Sequence, residues 1–539
     1  MSDLSPIELQ IMWSRLIAVV EEQAQTLLRT AFSPIVRECG DLSAGVFDTR
    51  GRMLAQAVTG TPGHVNSMAE SVRHFLDRFP AETMEEGDTY ITNDPWMGTG
   101  HLNDFVLTTP CFLNGRLVAL FSCTSHLMDI GGIGFGPDAT DVFMEGLSIP
   151  FLKLASRGEL NETLLAMIRA NTRLPVDTEG DVYSLAACND VGCKRLQSMM
   201  REFGLQSLDA LATHILERSR EAVLAEVRAL PQGTWASSMT VDGYEAPVTL
   251  ACTVRVHDEG IHVDFEGTGP QSPRGINVPL SYTTAYTAFG LGCVVASRVP
   301  NNAGSLAPLT VSAPEGCILN AAKPAPVASR HVIGQMLPDV VFGALRQAAP
   351  SRVPAEGTSC LWNLNVRGVA AEQDGTYGFS MAVTSNGGTG ARPLRDGLSA
   401  TAYPSGVKGT PVEIAEAITP LVFRRKELRP DSGGEGRRRG GLGQVIEIES
   451  RIGKPFELLA AFDRIDHPAR GVEGGGNGAA GSVALASGAV LKGKGFQTIP
   501  PGDRLVVLTP GGGGIGPAGE REPEALARDL AEGYVTAKP

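Results

Sequence analysis

Residues 93–130 read NDPWMGTGHLNDFVLTTPCFLNGRLVALFSCTSHLMDI and contain two apolar segments that are typical of β-strands. These segments, DFVLTTPCF from residue 104 and RLVALFSCTS from residue 116, are joined by Asn114-Gly115. The Asn-Gly dipeptide favours the tight type I′ turn of a β-hairpin, because both of its residues readily adopt positive φ. We therefore predict an antiparallel hairpin centred on this turn.

The turn also predicts which residues face each other at the open end of the hairpin. Counting outward from the turn places Asp104 opposite Ser125. Side chains along a strand alternate between its two faces, so His101 and His126 share one face and Asp104 lies on the other. A site built from all three requires residues 101–104 to leave regular strand geometry, and Gly100 gives the backbone that freedom.

His101, Asp104 and His126 form a candidate metal site at the mouth of this hairpin. Two imidazoles and a carboxylate suit a divalent first-row metal and leave positions open for water or substrate. A histidine at the end of a strand is also commonly a structural residue whose ring nitrogens bond to the protein. Both readings remain open from spacing alone.

Four other residues are candidates for the same site. Glu38 and Asp41 are three residues apart just before a predicted strand, where one could complete the metal shell and the other could act as a base. Asp129 could accept the second ring N–H of a histidine ligand, or it could cap a turn. His64 lies at a predicted helix start, where it either points into the site or caps the helix.

Composition restricts the class of protein. The chain has 539 residues, of which 42% are hydrophobic, and its net charge is −13. The negative charge argues against nucleic acid or an anionic membrane as the main partner. No uncharged apolar run approaches the length of a membrane span, and the first residues lack a signal-peptide pattern, so we expect a soluble, cytoplasmic protein. The nine scattered cysteines do not predict a disulfide framework.

The periodicity of the apolar residues predicts a mixed α+β fold. An N-terminal α/β metal-binding region with hairpins and long helices precedes a β-rich region with packed helices. Changes in pattern suggest three domains: a metal-site domain at 1–232, a central sheet with helices at 233–355, and a glycine-rich, β-rich domain with a terminal helix at 356–539.

Several common catalytic and nucleotide-binding motifs are absent from the sequence. It contains no G-x-x-x-x-G-K-[ST] loop, no strand-linked dinucleotide fingerprint and no G-x-S-x-G elbow. We therefore expect metal-assisted chemistry, with no nucleotide bound in either standard cradle of this chain.

A series of short motifs, taken in order, resembles the hydantoinase B family almost from end to end. This family is shared by ATP-dependent hydantoinases, the C-terminal half of 5-oxoprolinases, and the large subunits of acetone and acetophenone carboxylases. The motifs are Glu38 to Ser43, Asn93 to Pro95, Gly100 to Asp104, His126 to Gly132, Asn301 to Gly304, Arg429 to Gly441 and Thr509 to Gly516.

The resemblance implies a site and a partner. It places the metal ligands on Asp41, His101, Asp104 and His126, with Glu38 and Asp129 as catalytic candidates for proton transfer. It implies a divalent ion (Mn, Zn or Fe) in this chain. It also implies Mg-ATP in a separate hydantoinase A-type subunit, within a heterotetramer.

The implied reaction is hydrolysis of a cyclic amide such as a hydantoin, 5-oxoproline or another lactam, after the partner has phosphorylated the carbonyl oxygen. Two alternatives stay open at this point. The chain could be the large subunit of an ATP-dependent ketone carboxylase, or a scaffold that has kept the fold without the chemistry.

Overall fold

A computed structural model of the chain describes residues 5–58, 60–372 and 375–536. Its α+β class confirms the prediction. Within these residues the helices are α1 (Pro6–Thr30), α2 (Pro34–Arg37), α3 (Pro62–Arg78), α4 (Glu162–Asn171), α5 (Pro175–Glu202), α6 (Asp209–Arg228), α7 (Leu280–Val295), α8 (Ala303–Leu306), α9 (His331–Gly334), α10 (Leu337–Leu345), α11 (Val412–Ile418) and α12 (Pro523–Ala531).

The strands of the described residues belong to four sheets. They are β1 (Leu42–Phe47), β2 (Met53–Gln56), β3 (Thr89–Thr92), β4 (Asp104–Leu113), β5 (Arg116–His126), β6 (Leu152–Ser156), β7 (Glu159–Leu160), β8 (Gly233–Val241), β9 (Val248–His257), β10 (Gly260–Asp264), β11 (Leu309–Ser312), β12 (Leu364–Glu372), β13 (Gly375–Val383), β14 (Leu421–Leu428), β15 (Gln444–Ser450), β16 (Phe456–Ala461), β17 (Ser482–Leu485), β18 (Lys494–Ile499) and β19 (Arg504–Leu508).

A seven-stranded antiparallel sheet forms the N-terminal layer, in the order β2-β1-β5-β4-β3-β6-β7. Helices α1 and α5 pack on one face, and α3 packs on the other. Neighbouring residues of β1, Val46 and Phe47, accordingly belong to two different hydrophobic clusters. The β4–β5 hairpin is therefore covered on both faces, and its open end lies inside the molecule.

The register of this hairpin differs from the sequence-based prediction. The turn is where we expected it, but Val118 bulges out of β5, so Asp104 pairs with His126 instead of Ser125. A bulge adds one residue to one strand and shifts all later pairs by one. Because β5 is buried from Val118 to His126, its sequence lacks the polar alternation that normally sets register. The bulge places Asp104 and His126 side by side.

The second layer is a four-stranded sheet, β11-β10-β9-β8, in which β10 and β11 are parallel. Helices α7 and α10 pack against it, and α7 also contacts α3 of the first layer. Two further four-stranded sheets follow, β13-β12-β16-β18 and β14-β15-β19-β17. One hydrophobic cluster runs from Val223 to Val507 across the last three sheets. The division into three domains stays a prediction.

The glycine-rich segments pack backbone against backbone. A Cβ atom on Gly440 would lie 1.9 Å from the carbonyl oxygen of Gly512, which leaves no room for a side chain. This close approach explains why glycine occurs in both the 433–443 and the 511–516 segments.

Two further expectations concern the chain as a whole. All nine cysteines are free thiols, and eight of them are buried. Among the described helices, none combines the length and the apolar character needed to cross a membrane.

Candidate metal centre

Asp104 is the centre of a fully buried group of charged and imidazole side chains at the start of β4. Its Oδ1 atom lies 2.7 Å from His101 Nε2 and 3.3 Å from His126 Nδ1. Its Oδ2 atom lies 2.9 Å from His64 Nε2 and accepts a hydrogen bond of 2.6 Å from Arg330 Nη2. The structure thus brings together the three predicted residues with His64, a further candidate from the sequence, and adds Arg330.

The backbone before β4 makes this arrangement possible. Residues 101–103 form a turn, and β4 begins only at Asp104, which confirms that this stretch leaves strand geometry. Gly100 has a φ of 94°, and a Cβ atom there would lie 2.6 Å from the Cδ atom of Arg330. Glycine is required at this position both for the turn and for the approach of Arg330.

The ring of His101 lies between two oxygen atoms. Its Nδ1 atom is 2.9 Å from the carbonyl oxygen of Ala328, and its Nε2 atom is 2.7 Å from Asp104 Oδ1. Burial and the nearby guanidinium of Arg330 lower the pKa of His101 to about 3, so the ring is neutral and carries one proton. One ring nitrogen therefore directs a lone pair at an oxygen. His101 Nε2 and Asp104 could hold a cation, which would remove this repulsion and leave Nδ1–H to donate to Ala328.

The donor set fits a small divalent ion. Three ligand atoms, one each from His101, Asp104 and His126, lie within 4.8 Å of one another, and all three residues are buried. Ligands bound at about 2.0–2.1 Å in a tetrahedral site are roughly 3.3 Å apart. The 3.3 Å between His126 Nδ1 and Asp104 Oδ1 agrees with this spacing. The Nε2 atom of His126 has no hydrogen-bond partner among the described residues.

His64 connects the predicted ligand Asp41 to this group. The Nδ1 atom of His64 is 3.5 Å from Asp41 Oδ1, and Thr61 Oγ1 donates to the same Asp41 oxygen over 3.3 Å. Burial alone would lower the pKa of His64, but the carboxylates of Asp104 and Asp41 raise it above its usual value. Asp41 lines the pocket without joining the close set of three, so its role as a ligand stays a prediction.

Glu38 and Asp129 have other contacts. Glu38 accepts a hydrogen bond of 2.9 Å from Arg37 Nε. Asp129 Oδ1 accepts from Arg173 Nη1 over 2.6 Å and from the Gly131 amide over 3.4 Å, so it caps the turn after β5. Neither carboxylate belongs to the described residues that line the pocket beside the candidate ligands, which we call the metal pocket. Their proposed role in proton transfer has no contact with the pocket to support it.

Sequence reasoning missed Arg330 and His331, which lie more than 200 residues after the hairpin. His331 is buried and lines the pocket, and its ring centroid is 5.8 Å from that of Phe135, which in turn lies 4.7 Å from His126. Burial, followed by the charge of Arg330, lowers the pKa of His331 well below its usual value. The sequence feature that could have identified these two residues is an Arg-His pair at the start of an otherwise apolar segment.

Glu145 anchors the segment that carries these two residues. We call residues 327–331 the strap. Glu145 Oε1 accepts hydrogen bonds from the strap amides of Val327, over 2.6 Å, and Ala328, over 2.7 Å. Because Ala328 O faces His101 and Arg330 binds Asp104, the strap contacts two of the three candidate ligands. Burial raises the pKa of Glu145 to about 8.

The pocket itself is small and closed by apolar and aromatic side chains, including Ile35, Phe135, Tyr282 and Leu361. Its volume is about 20 Å³, which leaves room for about one water molecule. The ring of Tyr282 also lies against the Arg330 guanidinium, 4.1 Å from its carbon atom to the ring centroid. The arrangement can hold an ion and a water molecule away from bulk solvent.

Comparison with known proteins identifies the family. The chain is 27% identical to a Pseudomonas sp. protein provisionally described as the B-type subunit of a D-/L-hydantoinase, over 99% of this chain and 93% of that one. It is 29% identical to 5-oxoprolinase 1 of Arabidopsis thaliana over 95% of its own length, but it spans only 42% of that protein. The crystal structure of the ATP-dependent caprolactamase from Pseudomonas jessenii is similar, with a TM-score of 0.90, 27% identity, and coverage of 99% of this chain and 95% of that one. The family model described as Hydantoinase B/oxoprolinase matches residues 5–518, and the chain therefore belongs to that family.

Proposed function

We propose that this chain is the metal-bearing subunit of an ATP-dependent cyclic amidase. The observation that carries the proposal is the buried contact of His101 Nε2 and His126 Nδ1 with one oxygen of Asp104, which suits a divalent ion. Similarity to a 5-oxoprolinase and a caprolactamase supports a ring amide as substrate. The hydantoinase relative, which is described as one subunit of its enzyme, supports a partner chain.

The division of labour follows from amide chemistry. An amide carbonyl is a poor electrophile and its nitrogen is a poor leaving group at neutral pH. Phosphorylation of the carbonyl oxygen by ATP improves the electrophile, and we assign that step to a hydantoinase A-type partner. A divalent ion in this chain would supply a water molecule of lowered pKa and polarise the carbonyl. The complex acts in the cytoplasm as a heterotetramer with two copies of each subunit.

The side chains around the ligands have separate tasks. Arg330 holds Asp104 in its ionised form: burial alone would raise the pKa of Asp104, but its contacts with His101, His64 and Arg330 outweigh burial and keep that pKa well below its usual range. An ionised carboxylate is the form that binds a metal ion. Phe135 covers the His126 ring and limits access of bulk water.

His64 is the described side chain best placed to hold a proton. It lies between two carboxylates, with Nε2 2.9 Å from Asp104 Oδ2 and Nδ1 3.5 Å from Asp41 Oδ1. Its raised pKa favours the protonated ring. The protonated ring, which lines the pocket, can donate a proton to the amide nitrogen as the C–N bond breaks, and can then take up the proton that the attacking water releases.

The test uses this chain co-purified with its ATP-binding partner. We expect ATP hydrolysis that is stimulated by a lactam, does not need bicarbonate, and is accompanied by a bound divalent metal. His126→Ala should abolish both the bound metal and the lactam-dependent activity. His257→Ala, which changes an exposed histidine at the end of β9, is the matched control and should preserve both.

Three results would contradict the proposal. Turnover that requires bicarbonate and a ketone such as acetophenone would identify a carboxylase. A metal-free sample inert to every substrate would identify a scaffold. Full activity of His126→Ala would remove the metal centre from the reaction.

A further inference from the structure

A second, larger cavity lies beside the metal pocket. This cleft has a volume of about 580 Å³ and is lined by residues from the start of α3, from α7, and from the segment around Tyr403. Its lining includes the apolar side chains of Val65, Phe289 and Leu306. Pockets of about 300–1,000 Å³ with mostly apolar walls are typical of sites for small ligands.

A thin wall separates the cleft from the metal pocket. Gly60 and Pro62 line the cleft, whereas Thr61 between them lines the metal pocket. Gly406 and Val407 are divided in the same way. A Cβ atom on Gly406 would lie 3.2 Å from the carbonyl oxygen of Gly60, so the two segments touch. The wall is therefore about one residue thick at both places.

The two cavities differ in volume and can therefore hold ligands of different size. The metal pocket, at about 20 Å³, has no room for an organic ring, but it adjoins a cleft of about 580 Å³ that does. Helix α3 contributes to both, because His64 faces the metal pocket and Asn66, two residues later, lines the cleft. The cleft thus adjoins the metal pocket across one residue and has the volume for a ring-sized ligand.

The residues that line the cleft carry no charged side chains. Among the described residues that line the cleft, none is Asp, Glu, Lys, Arg or His. Its polar groups include three carboxamides, and Asn301 Nδ2 donates to Gln56 Oε1 and to Asn66 Oδ1, over 2.8 Å each. Carboxamides and apolar side chains suit a neutral amide. An anionic ligand would lose its hydration here without gaining a cationic partner.

Arg330, the cation of the neighbouring metal pocket, is already engaged. It donates to Asp104 Oδ2 and to the carbonyl oxygen of Thr99, each over 2.6 Å, and it stacks on Tyr282. A substrate carboxylate would have to compete with the Asp104 carboxylate for it.

We propose that this cleft is the substrate-binding cleft of the metal centre, and that it takes a neutral cyclic amide in preference to one that carries a carboxylate. The inference rests on the proposed function, which it narrows from ring amides in general to uncharged lactams. The ring occupies the apolar cleft, and its amide faces the carboxamides and the wall at Thr61.

The decisive comparison uses two substrates with the same ring. 2-Pyrrolidinone and 5-oxoproline differ only in the carboxylate. In the complex with the ATP-binding partner we expect kcat/KM for 2-pyrrolidinone to exceed that for 5-oxoproline by about 100-fold or more. A preference for 5-oxoproline would overturn the proposal.

Charge placed in the cleft should change this preference. Ser297 is an exposed residue of the lining, and Ser297→Arg should shift the ratio of the two kcat/KM values towards 5-oxoproline by about fivefold, because it supplies the cation that the lining lacks. Val490→Arg adds the same charge to an exposed residue outside the cleft and is the matched control. An unchanged ratio in Ser297→Arg would overturn the proposal. Loss of the partner subunit from the purified Ser297→Arg complex would also overturn it, because the cleft would then be a contact between subunits.

Another variant in the cleft, Ala296→Trp, distinguishes failure of this inference from failure of the proposed function. Ala296→Trp fills the cleft and should raise the KM for 2-pyrrolidinone without changing the metal content. If no ring amide is turned over, hydantoin and caprolactam included, the proposed function fails. Saturation-transfer NMR of the complex with 2-pyrrolidinone then tests the cleft independently of turnover. Binding that Ala296→Trp abolishes supports the cleft, and binding that it leaves unchanged overturns it.

Discussion

The buried carboxyl group of Glu145 affects both the stability of this protein and the proposed metal centre. The side chain is 2% exposed, and its Oε1 atom accepts hydrogen bonds from the amides of Val327 and Ala328. Its Oε2 atom has no partner among the described residues. Glu145→Gln keeps an acceptor oxygen for the two amides and removes the titration, so it isolates the effect of the charge.

The sign of the effect follows from the direction of the pKa. Burial raises the pKa of Glu145 from 4.5 to about 8 in the folded protein. A carboxyl with a raised pKa contributes stability that is fully present below pH 4.5 and is lost as pH rises through 8. At about 1.4 kcal/mol per pH unit, the wild type loses about 5 kcal/mol over this interval that Glu145→Gln does not lose.

Urea unfolding of both proteins at several values between pH 4.5 and pH 9 measures this difference. We expect the unfolding free energy of the wild type to fall relative to that of Glu145→Gln as pH rises, with most of the change complete by pH 8. Infrared spectra should show a protonated carboxyl band at pH 6 that the variant lacks. Glu159→Gln, at an exposed position of β7, is the control. Parallel stability curves for wild type and Glu145→Gln would show that Glu145 does not change its protonation state on folding.

Three other changes test the same centre. Arg330→Met leaves the buried Asp104 carboxylate without its guanidinium partner. It should lower the unfolding free energy by about 3–5 kcal/mol in denaturant titrations. An effect below about 1 kcal/mol would contradict a buried ion pair between Arg330 and Asp104. Asp104→Asn should remove most of the bound metal, as measured by elemental analysis, and retention of full metal content would exclude Asp104 as a ligand. Glu145→Ala releases the strap amides and should weaken metal affinity about 10–100-fold in chelator competition, whereas Glu145→Gln should retain it.

Local features of the chain were predictable because a few neighbouring residues determine them. Ser5 caps α1 through a capping box with Glu8, as a Ser-Pro start suggests. The Asn-Gly dipeptide sets the β4–β5 turn, and the His101 to Asp104 spacing with Gly100 before it allows the turn that gathers the ligands. The mixed α+β class followed in the same way from changes in periodicity.

The register of the hairpin and the outer contacts of the metal centre needed the tertiary structure. The Val118 bulge leaves no trace in a strand that is buried on both faces, yet it alone decides that Asp104 lies beside His126.

The most distant contacts were the least accessible to sequence reasoning. Arg330 reaches Asp104 from 226 positions along the chain, and Glu145 holds the strap from 182 positions away. The α+β class, the hairpin turn and the residue types of the proposed metal centre can be predicted from the amino-acid sequence, because they depend on local backbone preferences and ligand chemistry. Which buried charges meet depends on how separate layers pack against each other, and therefore required the folded structure.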